Sequence, residues 1–127
     1  MDFKVGLVGR VELVVGAADT AQALGSGDVA VLATPRVVAL VEAATVAAVI
    51  DHVHPEQTTV GTRVVLDHVT ATPVGRAVVA EATLSDIAGR RLTFDVTLHD
   101  GDTVAASGTV ERVVVDRDRF LDRAERG

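Results

Sequence analysis

The stretch from Pro35 to Ile50, PRVVALVEAATVAAVI, is apolar on almost every helical face and carries one acidic residue, Glu42, in its middle. Thr34 stands before Pro35, and a Thr ahead of a Pro at the first helical position is a start signal for a helix. The pattern predicts one helix from about Pro35 to about Val53, a rod of roughly 28 Å. Val37, Val38, Leu40, Val41, Val46, Val49 and Ile50 are distributed around it, and Ala39, Ala43, Ala44, Ala47 and Ala48 let neighbours approach closely. All-round apolarity predicts a helix enclosed by other elements. The span is too short, and with Arg36, Glu42 and Asp51 too charged, to cross a membrane. A carboxylate facing inward from such a helix is rare unless paired or used, so Glu42 is the first candidate for a catalytic group.

Working outward, four strand patterns follow the helix. Gly61 to Ala71 places Val64, Leu66, His68 and Thr70 on one face, with Arg63, Val65, Asp67 and Val69 on the other. The turn Thr72 to Gly75 leads to a strand from Ala77 to Ser85. After Gly89 and Arg90, Leu92, Phe94, Val96 and Leu98 alternate inward against Arg91, Thr93, Asp95 and Thr97. Asp100-Gly101 signals a hairpin, and a last strand runs from about Thr103 to Val115. Residues 116–127 form a charged, helix-compatible tail. Before the helix, strands are predicted at Phe3 to Leu7 and Val11 to Val15, parted by Gly9 and Arg10, with a short one at Val29 to Leu32. The small-residue connection from Gly16 to Asp28 reads as a mobile cover over a site.

One long helix with a meander of antiparallel strands implies an α+β protein, a single domain over residues 1–127 in which a curved antiparallel sheet wraps one central helix. This is the hotdog arrangement; cystatin-like and cone-shaped α+β folds share the pattern, and periodicity does not choose between them. The chain of 127 residues is long enough to bury a core unaided. With a formal net charge of -6, Lys4 as its single lysine and only 3 Phe among the aromatics, it lacks the basic and stacking surfaces that nucleic acids or anionic membranes require. The absence of Cys excludes disulfides and a Cys nucleophile and suits a reducing compartment. Arg10 and Glu12 interrupt the first apolar stretch before it could serve as a signal-peptide core. A soluble, cytoplasmic location is expected.

His68 is the second candidate for chemistry, in phase with Val64 and Leu66 on the core-facing side of its strand. An inward His and an inward Glu in one small domain supply separable acid and base roles. Thr34 is the third, two helical turns from Glu42. Asp51, His52 and His54 have ligand chemistry, but at a helix exit they are expected to be solvated, and no metal or other cofactor is expected. Ser107 lacks the context of a nucleophile, and Arg112 shares parity with Val104, Val110 and Val114, which points it inward unless a bulge resets the phase.

At these residues the sequence resembles the fluoroacetyl-CoA thioesterase-like hotdog proteins. The matching positions are ATPRVVALVE, the Gly61-Thr62 pair, VVLDHVTATPVG, AGRRLTF, HDG and SGTVER, over about Val31 to Val115. The resemblance implies hydrolysis of an acyl-CoA thioester, with Glu42 as nucleophile or general base, His68 as general acid/base and Thr34 positioning both. It further implies a homodimer joined edge to edge with sites near the interface; Gly61, whose backbone N–H could meet the thioester oxyanion, and the inward-phased Arg112 are the expected substrate-binding residues. A non-catalytic hotdog module that binds acyl-CoA or another small apolar ligand is the alternative, and a structural or interaction protein in which Glu42 and His68 satisfy each other is the third reading. The fluoroacetyl-specific member has an aromatic-bearing lid before the helix, whereas Gly16 to Ala33 here has no Phe, Tyr or Trp, so fluoroacetate specificity does not follow.

Overall fold

The structure, a computed structural model, describes residues 3–127. Its elements in chain order are β1 (Val8–Val14), α1 (Ala21–Leu24), α2 (Thr34–Val49), β2 (Gln57–His68), β3 (Ala77–Ala88), β4 (Arg91–Asp100), β5 (Thr103–Asp116) and α3 (Arg117–Arg126), with single 3-10 turns at Ala17–Asp19 and Ile50–His52. All strand pairs are antiparallel and the sheet order is β1-β3-β4-β5-β2, so β1 and β2 are the two edges.

The sheet wraps the long helix as the residue pattern requires. Alternation on β4 buries Leu92, Phe94, Val96 and Leu98, and alternation on β3 buries Val78, Ala80, Ala82 and Leu84. Against them α2 presents Val37, Leu40, Val41, Ala44, Thr45, Ala48 and Val49, one face at helical spacing. Each fully buried Val or Leu in this layer contributes about 1.5–3 kcal/mol relative to exposure. Two-residue loops, Gly89-Arg90 and Gly101-Asp102, close the β3–β4 and β4–β5 hairpins.

Several expectations change. The helix is not enclosed: Pro35, Ala39, Ala43 and Ala47 are exposed on the face away from the sheet. Alanine is apolar enough to read as core yet small enough to leave little hydrophobic surface when it is not. Of the two expected N-terminal strands the first, Phe3 to Leu7, does not form, and the second begins earlier, at Val8, and runs through Gly9 to Val14. Gly9 does not break the strand; a Cβ there would run into the Ala44 carbonyl and the Ala48 backbone nitrogen, so glycine is what lets β1 lie directly on α2. Val29 to Leu32 forms no strand, only isolated bridges from Leu32 to Thr20 and from Val31 to Pro73. β2 begins four residues earlier than Gly61, at Gln57, and ends at His68 rather than Ala71. The tail is helical and carries no buried residue.

The connection from Gly16 to Asp28 is tied down at one end. Asp19 accepts hydrogen bonds from the Gly16 backbone N–H at 2.8 Å and from Arg36 Nε at 2.9 Å, and both hold its carboxyl below the ordinary range. Arg36 sits in the first turn of α2, so the segment is pinned to the helix beside the site. Beyond that anchor, Gln22 to Ala30 are all exposed.

Candidate active site

Thr34 opens α2, but it does not cap the helix. Ala33 holds the N-cap position without a side-chain hydrogen bond. The Thr34 hydroxyl reaches the other way, and its Oγ1 lies 2.7 Å from His68 Nδ1. His68 is the last residue of β2, on the half-buried face it shares with Val64 and Leu66. Burial, the larger influence, pushes its imidazole below the ordinary value, while the Thr70 backbone pulls the other way. The ring is therefore neutral at neutral pH and able to take a proton. Its Nε2 is buried and has no hydrogen-bond partner among the described residues.

This pair borders a cleft of about 260 Å3, walled by Ala21, Gly27, Val29, Val31, Leu32 and Val69. The covering segment contributes only small and aliphatic side chains to it. Ser26, Thr70 and Ala71 complete the lining.

Glu42 lies two turns further along α2 and belongs to a different cluster. Its Oε2 accepts a hydrogen bond from Arg112 Nη1 at 3.3 Å; the glutamate side chain is 35% exposed and the arginine 8%. Arg112 is held in turn by Thr59, donating from Nε to Oγ1 and from Nη2 to the carbonyl, both at 2.9 Å. Burial pushes the guanidinium's pKa down and Glu42 pulls it back up. Arg112 points inward in phase with Val110 and Val114; Val104 falls out of phase because Ala105 is an extra residue opposite the Leu98-His99 step of β4. Gly61 faces the same carboxylate, and a Cβ there would collide with Glu42 Oε2.

One chain thus assembles two half-sites, Thr34 with His68 and Glu42 with Arg112, Gly61 and Thr59. Along the helix Thr34 and Glu42 are roughly 12 Å apart, and no hydrogen bond joins Glu42 to His68 among the described residues. Sequence reasoning missed Thr59. Its signal was its parity with Gly61, hidden because the strand was taken to begin at Gly61 itself. Among the described residues no three His, Cys, Asp or Glu side chains gather to hold a metal, and Asp51 and His54 are exposed at the helix exit. No described helix is long and apolar enough to cross a membrane.

A five-stranded antiparallel sheet curled around one central helix, with its polar groups at the helix flank, is a hotdog fold of the thioesterase superfamily. A hypothetical protein of Thermus thermophilus described as a thioesterase superfamily member has the same fold, at 21% identity over 97% of this chain and 91% of that one, with a TM-score of 0.90. Residues 15–118 match the family model of the fluoroacetyl-CoA-specific thioesterase FlK, and the chain belongs to that family. A solved mutant of FlK is similar at 31% identity over 99% of this chain and 98% of that one, TM-score 0.92; another, in complex with acetyl-CoA, is 31% identical over 98% of each chain, TM-score 0.91. A comparison with curated proteins finds no match. The chain is therefore a thioester hydrolase acting on acyl-CoA.

Proposed function

We propose that the chain hydrolyses small and medium acyl-CoA thioesters with Thr34, Glu42 and His68, in a cytoplasmic homodimer whose sites draw on both copies. The observation that carries this reading is the Thr34–His68 contact at the mouth of an aliphatic cleft. The Glu42 carboxylate acts on the thioester carbonyl, directly or through a water. In the first case the C–S bond breaks to leave an acyl–Glu42 anhydride that water then cleaves; in the second, the water becomes the new carboxyl oxygen at once. In both routes the neutral His68 takes up the proton released by the attacking water, directly or by way of Glu42, and passes it to the CoA thiolate, and Thr34 holds the imidazole in place. Gly61 and Arg112 act through Glu42, the first by making room for the carboxylate and the second by orienting it.

The separation of the two half-sites supports the dimer. β2 pairs only with β5 and leaves its outer edge free, and free edges are covered or paired. Two copies of β2 pairing antiparallel about a twofold near Val65 would set Gly61 of one opposite His68 of the other. The partner subunit's Glu42 would then meet the Thr34–His68 pair. Mixing dissociated Glu42→Gln and His68→Ala chains should restore about a quarter of wild-type activity, because half of the random dimers carry one intact site. No recovery after exchange, or a monomer at micromolar concentration by sedimentation, would sink the composite site.

The acyl preference follows from the cleft walls. Val29, Val31 and Leu32 with Ala21 and Gly27 offer no ring to gate the site, and an aliphatic pocket separates substrates differing by one small group by only ~1–3 kcal/mol. We expect kcat/KM for fluoroacetyl-CoA and acetyl-CoA to differ by less than about 100-fold, with longer acyl chains accepted. A screen of acetyl-, fluoroacetyl- and branched acyl-CoA tests both the activity and the preference; a fluoroacetyl preference of many thousandfold would show that discrimination needs no aromatic lid.

A further inference from the structure

A second cleft, of about 180 Å3, opens where α3 turns back over the end of β5, lined by Arg90, Val114, Asp116, Arg119, Phe120 and Arg123 among others. Three guanidinium groups meet there in a chain of net charge -6. Asp116 holds two of them side by side, with Oδ1 3.7 Å from Arg90 Nη1 and Oδ2 3.4 Å from Arg119 Nη1. Arg126 takes Asp122 at 2.8 Å, which leaves Arg123 without an ion pair among the described residues. Arg119 and Arg123 are four apart on one face of α3, with Phe120 beside them. Phe94 is fully buried in the core, whereas Phe120 is 39% exposed.

Within the cleft lining three guanidinium groups face one carboxylate, and Arg123, without an ion pair among the described residues, stands next to an open aromatic ring. Guanidinium forks match phosphate oxygens, and an aromatic face stacks a nucleobase. The cleft also lies at the right place for such a group. Val114 is two residues beyond Arg112 on the same face of β5, and Asp116 is four beyond it, roughly 13 Å of strand from the arginine that holds Glu42. That is within the span of a pantetheine arm. Glu56 and Asp118 flank the far side of Arg119 and weigh against unselective capture of anions.

We propose that this cleft binds the phosphorylated adenosine end of the acyl-CoA, with the phosphates on Arg90, Arg119 and Arg123 and the adenine on Phe120. The assignment rests on the thioesterase reading above and adds where the substrate's handle is held. Substitutions on α3 are compatible with folding, because the helix buries no residue.

The test compares wild type, the Arg119→Ala/Arg123→Ala double variant and Phe120→Ala on acetyl-CoA and on the acetyl thioester of N-acetylcysteamine, which lacks the nucleotide. The expected result is a KM for acetyl-CoA raised about tenfold or more in the double variant, with kcat nearly unchanged and no change on the short thioester. An unchanged KM, or equal losses on both substrates, overturns the proposal. Calorimetric titration with CoA separates this from the activity itself. Even if no thioester is turned over, CoA binding that weakens in the double variant supports the site, and binding that is absent or equal in all three proteins overturns it. Displacement of CoA by inorganic phosphate at equal concentration also overturns it, since the cleft would then select only an anion.

Discussion

His68→Ala is expected to lower kcat on the best acyl-CoA about 100-fold or more, and Glu42→Ala to do the same, as loss of a general acid or base typically does. Neither change should unfold the protein. His68 is half-buried at the end of an edge strand and its hydrogen bond is to Thr34, so truncation removes a functional contact rather than core volume. Glu42→Ala has a second effect, because it leaves the buried Arg112 guanidinium without its carboxylate. Thr59 still holds that guanidinium twice, which limits the damage. Glu42→Gln separates the two contributions: it keeps an oxygen for Arg112 to donate to and removes the charge that the chemistry needs. Steady-state kinetics beside a thermal melt of each variant gives the answer. Near wild-type turnover in either His68→Ala or Glu42→Gln would show that the roles are misassigned.

Gly61→Ala should be nearly as damaging to turnover while touching neither acid nor base. The added Cβ would occupy the position of Glu42 Oε2 and come within 3.4 Å of Arg112 Nη1. Gly61 does not have a positive φ, so alanine meets no backbone strain there. What must move is the far end of a flexible side chain, and the fold can accommodate that. The carboxylate is displaced by an ångström or more, a misplacement that can cost about 100-fold in rate. A kcat reduced by about that factor with a melting temperature close to wild type is the expected pattern. Retained activity would show that the Glu42 position seen against Gly61 is not the one used in catalysis.

Much of the fold was legible because period and burial are linked locally. The alternation of Leu92, Phe94, Val96 and Leu98 named the core face of β4, Asp100-Gly101 named a hairpin, and the Val64-Leu66-His68 phase placed His68 on the inner side of β2. The helix from Thr34 was announced by Pro35 and by its apolar run. Other features were ambiguous in principle. A glycine between two apolar runs can break a strand or admit a close neighbour, and Gly9 does the latter. Alanines look alike on either face of a helix, so Ala39, Ala43 and Ala47 could not reveal that α2 has an open side. The bulge at Ala105 shifted the parity that Val104 had seemed to share with Arg112.

By itself the sequence determined the central helix, the antiparallel strands around it and the set of polar residues set into apolar patterns: Thr34, Glu42, His68 and Arg112. The tertiary structure alone decided how they pair. Thr34 meets His68 across 34 positions of sequence, and Glu42 meets Arg112 across 70. Periodicity says which face a side chain takes, because that depends only on the local backbone; who stands opposite depends on strand order, register and bulges, which long-range packing fixes. Hence the same residues that read as one constellation in the sequence lie in a single chain as two half-sites, about two helical turns apart.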